Sequence, residues 1–407
     1  MTNVMEGFRV LEVAEHTFVP AAAALLADWG AEVIKIEHVE RGDAMRSLAS
    51  TGLINLGEGV HVLLEHSNRG KKSLALDLAT PEGVGILYEL AASCDVFITN
   101  KLPSVRKRLG IDVDDIRAHN PRIVYVRGSG YGARGPDADA GGYDLLGFWA
   151  RGGSAMGAKA LEVDQLPTMP APGYGDTIGA MTIAGGVVGA LLHRERTGHA
   201  PIVDVSLLAT GMWATGAAIA LSLHTGQPWT QPPAIQTEPR NPIAGSYQTA
   251  DGKFIVFSML QYFQYWPEVC RRIGREDLID DSRFATADDL MKNSIEAMRI
   301  VAAEIARLPL DEWKERLRGM KGQWSPAQDS LEVAEDPQVA ANGYLQEVAT
   351  AQGVPFQLVA SPVQFDEEPS RPGRAPEFNE HGDEILQNDL GLSWDDVVAL
   401  KLKGIVG

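Results

Sequence analysis

The carboxylate best placed for chemistry in this sequence is that of Asp176, which follows a loop rich in proline and glycine. The surrounding stretch, PAPGYGDTIGAM, occupies residues 170–181, and residues 177–192 carry no charge. Aspartate is a favoured N-cap, so the simplest interpretation is that Asp176 caps a helix that begins there. A carboxylate that a helix N-terminus keeps ionised is also suited to act as a nucleophile. Gly173 and Gly175 would leave it accessible, and amides of this loop could stabilise an oxyanion.

A glycine-rich hexapeptide, GYGARG at residues 130–135, has the G-x-G-x-x-G form of a dinucleotide-binding loop. It follows the apolar segment RIVYV, but the next residues, PDADAGG, do not begin a helix. A dinucleotide site needs a helix at that point, because the helix amides bind the pyrophosphate. The sequence therefore argues against a nicotinamide or flavin site and favours a loop that closely approaches another ligand.

Basic residues form two clusters in an otherwise acidic chain. Lysine and arginine number 36 against 54 acidic residues, and the net charge of −18 disfavours nucleic acid and anionic membranes as partners. The second cluster follows the carboxyl end of a predicted strand, where α/β sheets bind ligands. The clusters predict an anion site for phosphates, and two solvated surfaces are the alternative. They comprise Arg69, Lys71 and Lys72 in NRGKK (68–72), and Lys101, Arg106, Lys107 and Arg108 in NKLPSVRKRLG (100–110).

Other reactive motifs are absent from the sequence. There is no G-x-S-x-G, H-E-x-x-H or H-x-x-x-H pattern, which disfavours a hydrolase or a zinc enzyme, and no metal site is predicted. Cys94 and Cys270 are the only cysteines, and their separation favours neither a disulfide framework nor a zinc site. The N-terminal segment MTNVMEGFRVLEV does not have the pattern of a secretory signal. We therefore expect a reducing, cytoplasmic environment.

A run of nineteen uncharged residues, VSLLATGMWATGAAIALSL at 205–223, approaches the length of a membrane span. It contains several small and hydroxyl residues and has no flanking clusters of lysine or arginine. We interpret it as a helix buried between layers of an α/β protein and predict no membrane span.

The elements that must position these residues alternate between strands and helices over the first 130 residues, which predicts a parallel sheet covered on both faces. A proline-rich linker at 224–242 precedes a second unit that begins with a hairpin around the ADG turn at 250–252. The predicted strands are 8–14, 31–37, 72–78, 95–100 and 122–128, and the first two predicted helices are 20–30 and 81–93.

An ordered set of blocks along nearly the whole chain resembles the class III coenzyme A-transferases, the CaiB/BaiF family. The blocks are GFRVLEVAEHTFVPAAAALLADWGAEVIKIEHVERGD, NRGKKSLALDLATPEG, DVFITNKLPSVRKRLG, PRIVYVRGSGYGARGP, GGYDLL, GDTIGAM, RTGHAPIVDVSLL, NPIAGSYQTADGKF and DDSRFATADD. The resemblance implies a Rossmann-like large domain (1–225 and 326–407), a smaller α+β domain (226–325) and a homodimer of interlocked rings. It also implies acyl-CoA and a carboxylic acid as substrates, with no permanently bound cofactor.

The same resemblance assigns the nucleophile to Asp176. In the implied reaction the carboxylate attacks an acyl-CoA thioester and forms an aspartyl anhydride, which CoA converts to an aspartyl-CoA thioester. An acceptor carboxylate then attacks that thioester and leaves as the new acyl-CoA. Such covalent catalysis divides one difficult transfer into easier steps.

The positions that contact CoA in the family fall here on residues spread along the first 143 positions. The chain departs from the family at Ala79, where some members have lysine, and at His38 and Thr17. We expect Arg69, Lys71 or Lys72 to compensate for the missing lysine. The implied CoA-contacting set is His16, Thr17, His38, Leu76, Ala79, Asn100 and Arg108, with Gly141 near the reacting end, and we add Arg69, Lys72 and Tyr143.

Two alternatives from other functional classes remain open. The same fold resembles that of 2-methylacyl-CoA racemases, which carry a histidine before the aspartate of the block that reads GGYDLL here. This chain has Tyr143 before Asp144, and Gly245 where the racemases have a supporting glutamate, so the second base is missing. A non-catalytic acyl-CoA-binding paralogue is the other alternative.

The acyl group cannot be assigned from sequence, although some exclusions follow. The glycine-run loop of formyl-CoA transferase is replaced by TEPRNPIAG, which disfavours formyl or oxalyl transfer. A moderately hydrophobic acid is our expectation. Candidate residues for an apolar acyl pocket, each equally compatible with a role in the core, are Phe18, Trp149, Met156 and Met181.

Overall fold

A six-stranded parallel sheet forms the centre of the larger of two structural units. The computed structural model describes residues 2–48, 59–232 and 238–407. The order of the strands across the sheet is β3-β2-β1-β4-β5-β6, and every adjacent pair is parallel. The predicted α/β class with a parallel sheet is confirmed, and each predicted strand overlaps an observed one. The strands are β1 (Arg9–Val13), β2 (Glu32–His38), β3 (Lys72–Leu76), β4 (Val96–Thr99), β5 (Val124–Ser129) and β6 (Ile202–Ser206).

Helices cover both faces of this sheet, and separate apolar clusters fill the two faces. The predicted start of the helix at 81 is correct, because the Thr80 hydroxyl accepts a hydrogen bond from the Gly83 amide and Pro81 occupies the first turn. The helices in the first part of the chain are α1 (Phe18–Asp28), α2 (Val62–Asn68), α3 (Pro81–Ala92), α4 (Pro103–Leu109), α5 (Val113–His119), α6 (Ser154–Ala158), α7 (Tyr174–Thr197), α8 (Leu207–Ala214) and α9 (Gly216–Thr225), with a 3-10 helix at Ala44–Ser47 and a π-helix at Leu145–Arg151.

Helix α1 lies close to α7 and to β5 because Gly179 of α7 faces Phe18 and Gly128 of β5 faces Val19. A Cβ atom at Gly179 would lie 2.4 Å from the Phe18 ring, and one at Gly128 would lie 2.2 Å from the Val19 side chain. Both distances are far below van der Waals contact, so neither position accepts a side chain without displacement of its neighbour. The close approach fixes the first turn of α7 relative to the turn that precedes α1.

The uncharged segment at 205–223 does not form the single buried helix that the sequence predicted. It begins in β6 and continues as α8 and α9, whose axes differ by 70°. Helix α9 buries none of its residues, and the Trp213 side chain of α8 is 88% exposed. Among the described residues, α7 and the bent pair α8–α9 have the length and apolar composition of a membrane span. A core helix of a soluble protein meets the same criteria, and α7 packs against α1, β5 and β6.

The smaller unit comprises 160–164 and 231–337 and has its own sheet and core. Strands β7 and β8 pair antiparallel across the predicted ADG turn, which confirms that hairpin. Trp266, Phe284 and Trp313 are buried in the core of this unit. Its elements are β7 (Ala244–Gln248), β8 (Phe254–Ser258), β9 (Trp324–Ala327), α10 (Tyr262–Ile273), α11 (Ala287–Lys292), α12 (Ser294–Ile305), α13 (Leu310–Leu317) and α14 (Ser330–Ala334).

The chain then returns to the larger unit, which comprises 1–159, 165–230 and 338–407. The second boundary falls later than the predicted residue 326, because β9 pairs with β8 and Lys253 forms an ion pair with Glu332. The last residues complete the larger unit, where Val406 forms a bridge with Leu76 at the end of β3. The remaining elements are α15 (Pro337–Asn342), α16 (Gly382–Asn388), α17 (Trp394–Leu402), β10 (Leu345–Ala349) and β11 (Pro355–Val359).

The two cysteines lie in different units and both are unpaired thiols. Cys94 packs in the larger unit and Cys270 in the smaller one, and both are buried. Burial raises the pKa of each thiol to about 12.

Candidate active site

A cavity of about 250 Å³ lies at the carboxyl ends of β1, β2 and β3, beside α4. This is the edge at which α/β sheets bind ligands. Four residues that the resemblance assigned to CoA line the cavity, namely His38, Leu76, Ala79 and Arg108. The other lining residues are Val13, Ala14, Glu15, Ile36, Glu37, Arg41, Asp77, Leu78, Lys101, Val105 and Leu109.

Three cations border this cavity. Arg108 is exposed and forms no ion pair with any described residue. Lys101 and Arg41 share Glu15, at 3.1 Å from the lysine Nζ and 3.8 Å from an arginine nitrogen. The cavity is also lined by Glu37, which is paired with Arg46, and by Asp77, so the cation available for a phosphate group is Arg108. Arg41 is absent from our predicted set, and the only signal for it is its position just beyond the end of β2.

The backbone at the end of β1 is held by two polar side chains. Asn100 accepts a hydrogen bond from the Glu15 amide at 3.2 Å and donates one to the Glu15 carbonyl at 2.6 Å. The next residue, His16, has a φ of +69°, a left-handed conformation that non-glycine residues rarely adopt. Its amide donates to Asp43 at 3.0 Å. Asn100 therefore shapes the site through the backbone, while Thr17 is buried where α1 begins.

A network of fully buried charges lies beneath this turn. The Nζ of Lys35 lies 2.8 Å from a Glu12 oxygen and 2.7 Å from an Asp43 oxygen. The Nζ of Lys71 lies 2.6 Å from the other Glu12 oxygen. Burial would raise the pKa of Asp43, but Lys35 and the amide of His16 outweigh it and lower that pKa. For Lys71 burial dominates and lowers the pKa to about 8. We call Glu12, Lys35, Asp43 and Lys71 the buried network.

The first basic cluster does not reach the cavity, so the expected compensation for Ala79 is wrong. Arg69 is 2% exposed and lies 2.7 Å from Asp28, whereas Lys71 belongs to the buried network. Lys72 begins β3, at the edge of the sheet opposite the cavity, and pairs with Glu384 at 2.9 Å. Because NRGKK precedes the predicted strand 72–78, it lies at the amino end of that strand, away from the edge at which α/β sheets bind ligands.

Asp176 lies in the first turn of α7 as its third residue and is not the N-cap, which corrects the predicted helix start. The N-cap is Gly173, with a φ of +67°. A Cβ atom at Gly173 would lie 3.3 Å from Thr17, so the two turns are adjacent. Asp176 is 9% exposed, and no hydrogen bond from the described part of the chain reaches its carboxylate.

A second buried carboxylate, that of Asp144, binds the start of the same helix. One Asp144 oxygen accepts a hydrogen bond from the Leu145 amide at 2.8 Å, and the other accepts one from the Gly175 amide at 3.2 Å. The amide of Asp176 also donates to it. Asp144 thus caps both the π-helix and the first turn of α7, although sequence reasoning gave it no role in this site.

The two carboxyl groups influence each other. Burial, together with the charge of Asp144, raises the pKa of Asp176 well above its ordinary value. Burial also raises the pKa of Asp144, although four backbone amides oppose that shift. The sequence-based expectation that the helix terminus keeps Asp176 readily ionised is therefore wrong, because burial and a like charge outweigh the amides and the dipole.

The loop between β5 and the π-helix connects the cavity with these carboxylates. It contains GYGARG, and turns follow this motif without a helix, which agrees with the argument against a dinucleotide site. Asp139 accepts a hydrogen bond from the Ser104 amide at the start of α4, at 2.9 Å. Gly141 is exposed, and Tyr143, 61% exposed, packs edge-on against His16 with 5.5 Å between ring centroids.

The candidate acyl-pocket residues divide into core and surface. Phe18 and Trp149 are buried in the larger unit, and the Trp149 indole donates to the Pro167 carbonyl at 2.9 Å. Met181 packs partly against this core, whereas Met156 is 61% exposed. Within the described ranges no three or more histidine, cysteine, aspartate or glutamate side chains cluster as metal ligands do.

Comparison with known proteins places this fold and site in one family. Residues 5–382 match the family described as CoA-transferase family III, and the chain belongs to this family. It is 30% identical over 394 residues to (R)-2-hydroxy-4-methylpentanoate CoA-transferase of Clostridioides difficile, covering 97% of this chain and 96% of the relative. It is also 30% identical over 403 residues to cinnamoyl-CoA:phenyllactate CoA-transferase of Clostridium sporogenes, covering 98% and 96%.

A solved structure supports the same assignment. The crystal structure of a CaiB/BaiF family protein from Brucella suis superposes with a TM-score of 0.79 at 25% identity, covering 96% of this chain and 100% of that one. The chain is therefore a CoA-transferase, an enzyme class that uses acyl-CoA and carboxylate substrates.

Proposed function

We propose that this enzyme transfers CoA from an acyl-CoA donor to a carboxylic acid through covalent intermediates on Asp176. The observation that carries this proposal is the position of Asp176. Its carboxylate is buried at the start of α7, receives no hydrogen bond from the described residues, and lies on a helix turn that contacts Thr17 beside the cavity. A carboxylate used only as a structural cap would accept amide hydrogen bonds, as Asp144 does.

The proposed reaction begins when an Asp176 oxygen attacks the thioester carbonyl. The carbon–sulfur bond breaks, and the products are an aspartyl anhydride and CoA thiolate. The thiolate then attacks the Asp176 carbonyl carbon, which forms the aspartyl-CoA thioester and releases the donor acid as a carboxylate. An acceptor carboxylate then attacks the aspartyl-CoA thioester, which gives a new anhydride and CoA thiolate. The thiolate attacks the acceptor's carbonyl carbon, so the new acyl-CoA leaves and ionised Asp176 is regenerated. No net proton is taken up or released, and each covalent step replaces one difficult transfer by easier ones.

The residues around the cavity support a position for CoA. Arg108 would bind a phosphate group, with His38, Leu76 and Ala79 along the cavity wall. The thioester end would pass the His16–Thr17 turn and Tyr143 towards Asp176. Asn100 would act by holding that turn, and Gly141 would allow close approach of the loop.

We infer that the acids transferred are moderately hydrophobic. The two relatives named above act, by their names, on 2-hydroxy-4-methylpentanoate and on cinnamoyl-CoA with phenyllactate, which carry branched or aromatic groups. In this chain, Tyr143, Leu145 and Leu146 are exposed apolar or aromatic residues next to the reacting carboxylates. Apolar groups of this kind suit a hydrophobic acyl chain.

We also propose a cytoplasmic homodimer, in keeping with the family resemblance. The helices α8 and α9 expose Met212, Trp213, Leu221 and Leu223, a concentration of large apolar side chains that monomers rarely leave in water. Multi-angle light scattering should give twice the chain mass. A monomeric mass at micromolar concentration would contradict the dimer.

Intact-mass spectrometry tests the covalent mechanism. Wild type incubated separately with the CoA thioesters of cinnamate, succinate and 2-hydroxy-4-methylpentanoate should gain an adduct of CoA mass with at least one of them. Asp176→Asn, which keeps the size of the side chain, should gain none. Exchange of the α proton into deuterated water without an adduct would support a racemase instead. Binding of every thioester without adduct or exchange would support a non-catalytic paralogue.

A further inference from the structure

The carboxylate of Asp144 is the group whose role the proposed reaction does not explain. It is 7% exposed and binds the amides of Leu145 and Gly175, so it packs directly against the turn that carries Asp176. A Cβ atom at Gly175 would lie 2.9 Å from the Asp144 Cβ, which shows how closely the side chain meets the helix. Asp144 uses both of its oxygens for these amides, whereas a serine or an asparagine has one acceptor oxygen and could still cap one of the two turns without a charge. The hydrogen bonds explain the position of Asp144, and its negative charge has a separate effect on Asp176.

No cation among the described residues offsets this pair of carboxylates. The ring contacts at this turn are those of His16 with Tyr143 and of Tyr174 with Phe148. The buried lysines Lys35 and Lys71 belong to the buried network and are bound to Glu12 and Asp43. The pair is thus stabilised only by backbone amides, and two buried like charges at this range repel each other.

Acylation removes one of these two charges. In the aspartyl anhydride and in the aspartyl-CoA thioester, the former carboxylate of Asp176 is neutral, and the negative charge departs on the thiolate or on the released acid. Asp144 remains ionised throughout and exchanges no proton. The repulsion therefore raises the free energy of the unacylated, ionised enzyme and is absent from both covalent intermediates.

We propose that Asp144 is a positioning residue whose negative charge favours covalent capture of the acyl-CoA by destabilising the ionised carboxylate of Asp176. The inference depends on the proposed function, because it assigns Asp144 a part in forming the covalent intermediates. Its second contribution is geometric, since its hydrogen bonds to the amides of Gly175 and Asp176 hold the turn in place.

The test compares wild type with Asp144→Asn, which removes the charge and keeps one oxygen that can accept a hydrogen bond. In enzyme labelled with carboxyl-¹³C aspartate, the Asp176 resonance is assigned by its absence from Asp176→Asn and is titrated without substrate. We expect its midpoint to move to lower pH in Asp144→Asn. Each pH unit of that shift corresponds to a tenfold change in equilibrium constant. The ratio of aspartyl-CoA thioester to free enzyme is then measured with cinnamoyl-CoA or 2-hydroxy-4-methylpentanoyl-CoA. For a shift of about one pH unit, we expect this ratio to fall about tenfold in Asp144→Asn.

Two further variants keep this test decisive. Asp144→Ser retains a capping oxygen without charge and should shift the midpoint in the same direction, so it replaces Asp144→Asn if that variant does not fold. Asp137→Asn removes an exposed carboxylate from the same loop, paired with Arg151, and should leave the midpoint unchanged. An unchanged midpoint in folded Asp144→Asn or Asp144→Ser would overturn the inference. Absence of any CoA adduct in wild type would instead overturn the proposed function, while the titration would still report whether the two charges interact.

Discussion

The larger unit contains two sets of buried charges that differ in how they are compensated. In the buried network, Lys35 bridges Glu12 and Asp43, and the pKa of Asp43 is lowered although burial alone would raise it. For the pair Asp144 and Asp176, no residue in the described ranges supplies a cation, and both pKa values are raised. The two regions are linked through the His16–Thr17 turn. The same fold therefore uses one set of charges to hold a backbone and leaves the other without a compensating cation among the described residues.

The two sets of charges differ in whether a cation pairs with the carboxylates, and not in how deeply the carboxylates are buried. Desolvation penalises a carboxylate in either region, and an ion pair with good geometry offsets that penalty. The buried network stabilises the backbone at His16, because Asp43 accepts a hydrogen bond from the amide of this left-handed residue. An uncompensated carboxylate has a higher pKa and is a stronger nucleophile once it is ionised.

Loss of Asp176, the proposed nucleophile, should have the largest effect of any single substitution. Asp176→Asn is expected to lower kcat for CoA transfer by about 10⁴-fold or more, because the covalent route is lost while binding remains. The measurement is the rate of acyl-CoA exchange, with CoA affinity determined in parallel by calorimetry. Retention of a tenth of the wild-type rate would remove Asp176 from the mechanism.

Breaking the compensated set should mainly lower stability. Lys35→Met leaves Glu12 and Asp43 buried with one cation fewer, and we expect a loss of about 3–5 kcal/mol in the free energy of unfolding. The matched control is Lys72→Met, whose ion pair with Glu384 is partly exposed and should contribute no more than about 1 kcal/mol. Chemical denaturation measures both variants. Equal losses would show that the buried network does not differ from a surface pair.

Arg108 belongs to neither set and offers a test of ligand binding alone. Arg108→Ala should raise KM for acyl-CoA about tenfold, since a charged hydrogen bond to phosphate contributes roughly 1.5–3 kcal/mol. Its kcat should change little, because Asp176, the proposed nucleophile, does not line the cavity. Arg122→Ala removes an exposed arginine paired weakly with Glu195 at 4.0 Å and serves as the control. A fall in kcat at unchanged KM would place Arg108 in the chemical step.

The smallest expected effect is a change in how stability depends on pH. A carboxylate whose pKa is raised on folding binds its proton more tightly in the folded state, so its contribution to stability falls as pH rises from the unfolded value of about 4 towards the raised one. Asp176→Asn removes this penalty. Its Tm should therefore exceed that of wild type by about 2–4 °C at neutral pH, with the difference vanishing in acid. A constant difference at every pH would indicate a packing effect.

Much of the fold follows from local pattern, whereas the charge states depend on residues distant in sequence. Alternating strands and helices predicted the parallel sheet, because apolar periodicity and flanking turn residues are local signals. The pKa of Asp176 was predicted with the wrong sign, because burial and Asp144 come from the assembled structure. Arg69 was predicted to bind phosphate, and its partner Asp28 lies on a different element. Of the two basic clusters, only the second contributes residues to the cavity, Lys101 and Arg108, and Arg41, which also lines it, belongs to neither cluster.

The inaccessibility of both cysteines has a practical consequence for measuring this enzyme. Cys94 and Cys270 are buried, and their pKa values of about 12 keep them protonated at neutral pH. A disulfide-exchange dye added to the native protein should therefore react with neither thiol of the enzyme. Because the transfer returns CoA as a thioester, the slow appearance of two equivalents of sulfhydryl in the spectrophotometer would report unfolding of the enzyme.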